Sequence, residues 1–374
     1  IVESTQYTTA YPLLLTVKIK TVMFDSSAKP KARPILLSPM LLNILSVLLL
    51  MALILLSLSV GVADFSWQGL WQALTQQSVS NDLQLLLVSR LPRTLAIILT
   101  GASLAVAGMI LQVVLKNRFV DPSMVGATQS AGLGLLLVSL YLPTSSLFSK
   151  MLIATLCAIA GMVLFMRLIK HLPAADILMV PLVGIVFGGI IEAVTTFIAY
   201  ETESLQMLSV WRFGDFSTIL AGRYELLYAT GALALVAYFL ADKLTIVGLG
   251  DAIAINLGVN QRLMTWFVIL TVAMISAVVV VTVGAIPFVG LVVPNIISRL
   301  MGDSLRRCLP AVALFGSSLV LLCDVIGRSI RYPFEVPVAT VFGVIGAAIF
   351  LWLLLRKPHR PKPRKLEVNP SAPA

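Results

Sequence analysis

Long apolar runs, separated by short polar or charged stretches, repeat along most of this chain. Runs such as 41–60 show no alternation of apolar and polar positions. They read as helices, because the strands of a spanning barrel alternate over about ten residues. Many approach the roughly 20 residues that a helix needs to cross a hydrocarbon core about 30 Å thick. Bounding the runs by charges, Pro and Gly predicts ten transmembrane spans, at 40–63, 91–115, 124–142, 150–170, 177–200, 223–241, 263–283, 286–300, 309–327 and 336–355. The eighth contains Pro287, Gly290 and Pro294 and is expected to be short or broken. A bilayer tolerates such a break only where protein or a water-filled cavity surrounds the backbone. The expected fold is an all-α integral membrane bundle of about ten helices. Around that membrane domain, 40–355, a disordered cytoplasmic extension is expected at 1–39 and a basic, Pro-rich cytoplasmic tail at 356–374.

Composition agrees with the pattern. Hydrophobic residues make up 59% of the chain and charged ones 12%, too little polar surface to coat a water-facing globule. The net charge of +10 does not point to nucleic acid, because Lys and Arg sit in short clusters between apolar runs rather than on one basic face. Three cysteines, Cys157, Cys308 and Cys323, lack the spacing of a disulfide framework or a zinc site. His171 and His359 flank basic segments, and neither suggests a metal or catalytic role. The first forty residues lack the core and cleavage site of a secretory signal, and Met23 is the expected native start.

The positive-inside rule orients the bundle. With both termini cytoplasmic, twenty of the 27 Lys and Arg residues fall on the cytoplasmic side and seven on the outer side. The outer seven include two pairs at the membrane surface: Arg90 with Arg93, and Arg328 with Arg331. Position alone allows headgroup anchoring, whereas the planar guanidinium also suits docking of an acidic partner.

No GxxxxGK[ST] phosphate loop occurs, and no GxSxG or HExxH cluster points to catalysis. Few ionisable residues lie inside the expected spans, chiefly Glu192 and, near a helix end, Asp324. Glu192 follows Gly184, Gly188 and Gly189, whose spacing favours close helix packing, so it either lines a pathway or pairs with a neighbouring helix. Asp324 and Arg328 stand four apart and can pair with each other. The one sizeable polar loop between helices on the cytoplasmic side runs over 241–262. Within it Gly250 and Gly258 bracket a short amphipathic helix through Asp251, Ala252, Ala254 and Leu257, which reads as an interfacial connector or as a knob for a cytoplasmic partner.

Several blocks in order then carry a family resemblance. They are Arg90-Leu-Pro-Arg93-Thr; Gly101 through Gly108 with Gln112; Asn117 through Asp121-Pro122 with Gly126; the loop at 249–258; Gly284 through Pro294; Asp324 with Arg328; and Glu335-Val-Pro337 through Gly343. From about Met40 to Leu355 the chain resembles the permease subunit of ABC importers for iron-siderophore complexes, haem and cobalamin. The resemblance implies a type II importer fold and a dimer with an identical or sister permease. Two cytoplasmic ATPases and an extracytoplasmic substrate-binding protein would complete the machine. No cofactor is expected in this chain, with ATP-Mg held by the partner ATPases. It further implies that Arg90, Arg93 and Arg328 receive acidic residues of the binding protein, that Gly250 to Gly258 couple to the ATPase, and that Glu192 is a candidate for the pathway. A multi-pass protein of the bacterial cytoplasmic membrane transporting a ferric siderophore is the resulting expectation. A haem or cobalamin importer, or an ion- or proton-coupled secondary carrier, is the alternative. Where the family commonly has Pro, His and Gly, this chain has Arg118, Asn295 and Ala339.

Overall fold

The computed structural model describes residues 39–60, 81–170, 178–302 and 304–355; the expected tail and all of the expected extension but Pro39, which opens the first helix, fall outside them. The fold is all-α. Helices are α1 (Pro39–Ser59), α2 (Leu91–Val114), α3 (Ala127–Tyr141), α4 (Leu147–Ile169), α5 (Met179–Glu201), α6 (Leu205–Arg212) and α7 (Leu227–Phe239). They continue with α8 (Ala241–Leu249), α9 (Asp251–Asn256), α10 (Gln261–Thr282), α11 (Val289–Met301), α12 (Leu305–Ile330) and α13 (Val338–Leu355). A short helix, Asn81–Leu85, and a π turn, Leu86–Arg90, lead directly into α2.

Among the described residues, seven helices are long and apolar enough to span a membrane, or eight if the bent pair α7 and α8 counts as one. The sequence predicts ten spans with only the eighth short or broken. α11 is short as expected, but α3 and α7 also fall below spanning length, so fewer full-length spans are present than predicted, and each shortfall has a local cause. The span expected at 124–142 loses its start to a 3-10 turn at Pro122–Met124 and to Gly126, which sits in the left-handed region at φ 77°. The remaining 15 residues of α3 reach only about 22 Å. The span expected at 286–300 begins late because Pro287 donates no hydrogen bond and Phe288 is itself left-handed at φ 67°, leaving 13 residues in α11. The span expected at 223–241 ends at Phe239 and turns by 63° into α8, where Asp242 and Lys243 follow.

α2 occupies the centre, packed against α12, α11, α7 and α10. Small residues permit this. A Cβ added at Gly101 would stand 2.7 Å from the carbonyl oxygen of Gly316 on α12, and one at Gly108 would collide with the backbone of Gly290 on α11. Lipid tails offer no hydrophobic drive for helices to associate, so close backbone approach and interhelical hydrogen bonds carry the packing. One such bond runs from Ser317 Oγ to the Ile98 carbonyl at 2.9 Å.

Two non-helical segments, after α6 and after α10, satisfy each other. The Asp215 amide donates to the Val283 carbonyl (3.0 Å), the Gly214 amide to Ala285 (3.1 Å), and the Ala285 amide to Trp211 (3.0 Å). The Ala339 amide, at the start of α13, donates to Gly214 (3.1 Å). These bonds pair backbone groups that the helices leave without partners. A cavity of about 420 Å³ lies alongside, lined by Trp211, Asp215, Arg223 and 280–284.

Candidate functional site: a buried charge network and a braced half-helix

Arg90 ends the π turn and Arg93 lies in the first turn of α2, three residues on, while Asp324 and Arg328 stand one turn apart near the end of α12. The packing of α2 on α12 brings the two pairs together. Arg93 donates through Nη2 to Asp324 Oδ1 at 2.7 Å and through Nε to the same oxygen at 3.2 Å, while Nη1 lies 2.8 Å from Glu335 Oε2. Arg328 Nη2 stands 2.7 Å from Asp324 Oδ2. Asp324 is 1% exposed and so is held between two guanidiniums.

The same arginines cap α1. The last carbonyls of a helix have no partner within it. Arg328 Nη1 donates to the carbonyls of Ser57 (3.0 Å) and Val60 (2.6 Å), its Nη2 donates to Ser57 Oγ (2.8 Å), and Arg90 donates to the Leu58 carbonyl. Cations at a helix C-terminus also suit its dipole. Arg90 and Arg328 are each 7% exposed, and in this conformation their side chains point inward. Glu335 is the more exposed partner of Arg93. Arg331 lies outside the cluster, stacked over the Phe334 ring.

Glu192, on α5, pairs with Arg212 at the end of α6, and the same guanidinium donates to Thr196 Oγ1 at 2.5 Å. The pair requires α6 to run back beside α5 after the turn at 202–204. Both members are partly exposed, at 37% and 40%.

The loop at 250–258 forms as the bracketing glycines suggest. Gly250 at φ 124° opens it, α9 fills it, and Gly258 at φ 70° closes it with its amide on the Ile255 carbonyl. Ala254 is buried, while Ala252, Ile255 and Leu257 are exposed.

A further cluster emerges from the quoted blocks. Gln112 Nε2 donates to the carbonyls of Gly290 (3.0 Å) and Val120 (3.2 Å). Asp121, buried, accepts from the amide and hydroxyl of Ser123 and faces the amides of Gly290 and Leu291, where α11 has its free N–H groups. Burial pushes this carboxyl's pKa up, against the pull of those hydrogen bonds. Asn295 Nδ2 donates to the carbonyls of Leu291 and Arg118, each at 2.7 Å. Two of the three departures from the family pattern therefore touch each other. Sequence reading supplied the blocks but not this convergence, since it depends on backbone carbonyls and amides that carry no side-chain signature. Among the described residues, no group of three or more His, Cys, Asp or Glu is placed to hold a metal ion.

Comparison with known proteins places this architecture. The petrobactin import system permease YclN of Bacillus subtilis is 39% identical over 310 residues, covering 83% of this chain and 96% of that protein. The ferric-anguibactin transport system permease FatD of Vibrio anguillarum is 40% identical over 271 residues, covering 72% and 86%. A solved metal-chelate type ABC transporter in an inward-facing conformation superposes with a TM-score of 0.70 at 26% identity, covering 86% of this chain and 100% of that one. The family profile described as the FecCD transport family matches residues 49–356. The chain belongs to the FecCD transport family, as the permease subunit of an ABC importer.

Proposed function

We propose that this chain and a second permease subunit, identical or a sister chain, enclose the pathway of an ATP-driven importer of ferric siderophores in the bacterial cytoplasmic membrane, with both termini cytoplasmic. The two short helices α3 and α11, added to the seven long ones and the bent pair, give the ten crossings of this reading. The observation that carries it is the Glu192–Arg212 pair. Glu192 stands nine residues before the outer end of α5, about 13 Å into a core about 30 Å thick. An ionised pair on an uncovered face at that depth is costly against lipid and stable beside water or protein. The uncovered face continues through Leu182, Ile185, Val186, Ile190 and Phe197 at helical spacing, as expected where a second subunit meets the pathway. Relatives named for petrobactin and ferric-anguibactin transport support the cargo class. ATP-Mg binds in two separate cytoplasmic ATPase subunits.

The test is uptake by proteoliposomes holding this permease with its ATPase and a loaded binding protein. Uptake of a ferric siderophore is expected only with ATP and ATPase present. Uptake that persists without the ATPase would overturn the reading in favour of a secondary carrier.

The binding protein docks on the outer face around Arg90, Arg93 and Arg328, with its carboxylates as partners. In the free chain these cations are already engaged, so docking proceeds by exchange at Arg93, where Glu335 is the replaceable partner. Glu335→Gln is therefore expected to raise binding-protein affinity several-fold. Equal or weaker binding would sink the exchange.

On the cytoplasmic side α9 inserts into the ATPase. Gly258→Val forces a β-branched residue to φ 70°, a strain on the order of 1–2 kcal/mol, and should distort the contact. Stimulation of ATP hydrolysis by the loaded binding protein should fall at least tenfold in that variant, and in Asp251→Lys. Unchanged stimulation in both rejects the coupling assignment.

A further inference from the structure

A cavity of about 620 Å³ lies between the cytoplasmic ends of α4 and α10, away from the charge network and from the pathway face of α5. Three cations line it: Arg167 and Lys170 from the last turn of α4 and its end, and Arg262 from the first turn of α10. No carboxylate is among its described lining residues, and none of the three side chains makes a hydrogen bond or ion pair with a described residue. Arg167 and Lys170 are three apart on one helix, a spacing at which like charges repel. Three cations gathered at one cavity favour an anion bound there.

The walls indicate what carries that anion. Val163, Met166 and Ile169 give the cavity an apolar side. Beside it the flanks of both helices are uncovered: Leu164 and Leu168 on α4, and Leu263, Trp266 and Leu270 on α10. Trp266 belongs to both surfaces, lining the cavity and standing 46% exposed in the apolar stripe. A Trp next to Arg and Lys marks the level of the headgroups. Inorganic phosphate would use the cations and leave the flanks unused. A lipid with an anionic head and two acyl chains uses both.

We propose that this cavity binds the headgroup of an anionic phospholipid, with the acyl chains lying along the exposed flanks of α4 and α10. Basic pockets between spanning helices at the cytoplasmic level recognise lipids in this way, each cation contributing about fivefold in affinity. The inference does not depend on which chelate is carried, nor on transport.

The test uses the full chain, delipidated in a neutral detergent and titrated with phosphatidylglycerol or phosphatidylcholine, with bound lipid counted by native mass spectrometry. Phosphatidylglycerol should bind the wild type selectively and raise its unfolding temperature. The variant Arg167→Gln/Lys170→Gln/Arg262→Gln should lose phosphatidylglycerol affinity on the order of a hundredfold, with phosphatidylcholine binding unchanged. If the triple variant fails to fold, Arg262→Gln alone should lose about fivefold. Equal binding of the two lipids, or full retention by the variants, would overturn the proposal. So would competition by soluble glycerol 3-phosphate at millimolar concentration, which would mark a site for free anions.

Discussion

Replacing Asp324 with Ala is expected to destabilise the folded chain by about 3–5 kcal/mol, the cost of removing one member of a buried ion pair. Asp324 is the hinge of the network, because its two oxygens hold Arg93 from α2 and Arg328 from α12. Its loss leaves two largely buried guanidiniums without the carboxylate between them, with the partly exposed Glu335 as the remaining described carboxylate partner. The effect spreads to α1. That helix packs on α12 along one edge, through residues such as Leu53 and Ser57, and Arg328 with Arg90 closes its C-terminal carbonyls. An Arg328 no longer held by Asp324 holds those carbonyls less well, so α1 should become sensitive to protease before the rest of the bundle. Asp324→Asn, which keeps one acceptor oxygen, should fall between wild type and Ala. Adding Arg93→Met to Asp324→Ala should restore part of the loss, because the uncompensated charge is removed with its partner. The measurement is unfolding in mixed micelles followed by tryptophan fluorescence. A loss below about 1 kcal/mol for Asp324→Ala would show that water reaches the cluster and screens it.

The long helices were legible because burial in lipid leaves a signal that is local and continuous. The expected spans at 263–283 and 309–327 fall within a few residues of α10 and within α12. What could not be read was set by distant backbone. The break before α11 is held by pairing of Val283 and Ala285 with 211–215, about seventy residues earlier, and no periodicity records that partnership. The return of α6 beside α5 was equally invisible. Arg212 counted as an outer-loop charge, and an eight-residue helix gives too short a window to show its direction. The arginines illustrate the same division. The pairing of Arg328 with Asp324 follows from their spacing on one helix, whereas Arg93, Glu335 and the α1 carbonyls join the network only through packing.

Gly108→Val should be the most damaging single change on α2, abolishing ATP-driven uptake and costing at least the 1–3 kcal/mol typical of overpacking. The reason is that its neighbour cannot yield. A Cβ at Gly108 meets the Cα, carbonyl carbon and oxygen of Gly290, all backbone, where a flexible side chain could have rotated away. Moving Gly290 is also blocked. Its carbonyl accepts from Gln112, itself on α2, and the amides at the start of α11 face Asp121. Separating the helices therefore breaks the Gln112 bond and pulls the half-helix off its cap, next to the segment that braces Gly214 and α13. Gly290→Ala should act likewise, since its Cβ would lie 2.8 Å from both Asp121 Oδ1 and the Gly108 Cα. Gly132→Ala is the control. Nothing stands within 4 Å of a Cβ there, and alanine's better helix propensity should leave stability unchanged or higher by up to about 1 kcal/mol. Unfolding of the three variants in mixed micelles, with uptake in proteoliposomes, separates the cases. If Gly108→Val unfolds like Gly132→Ala and still transports, α2 and α11 are free to part, and the half-helix is not braced by that glycine contact.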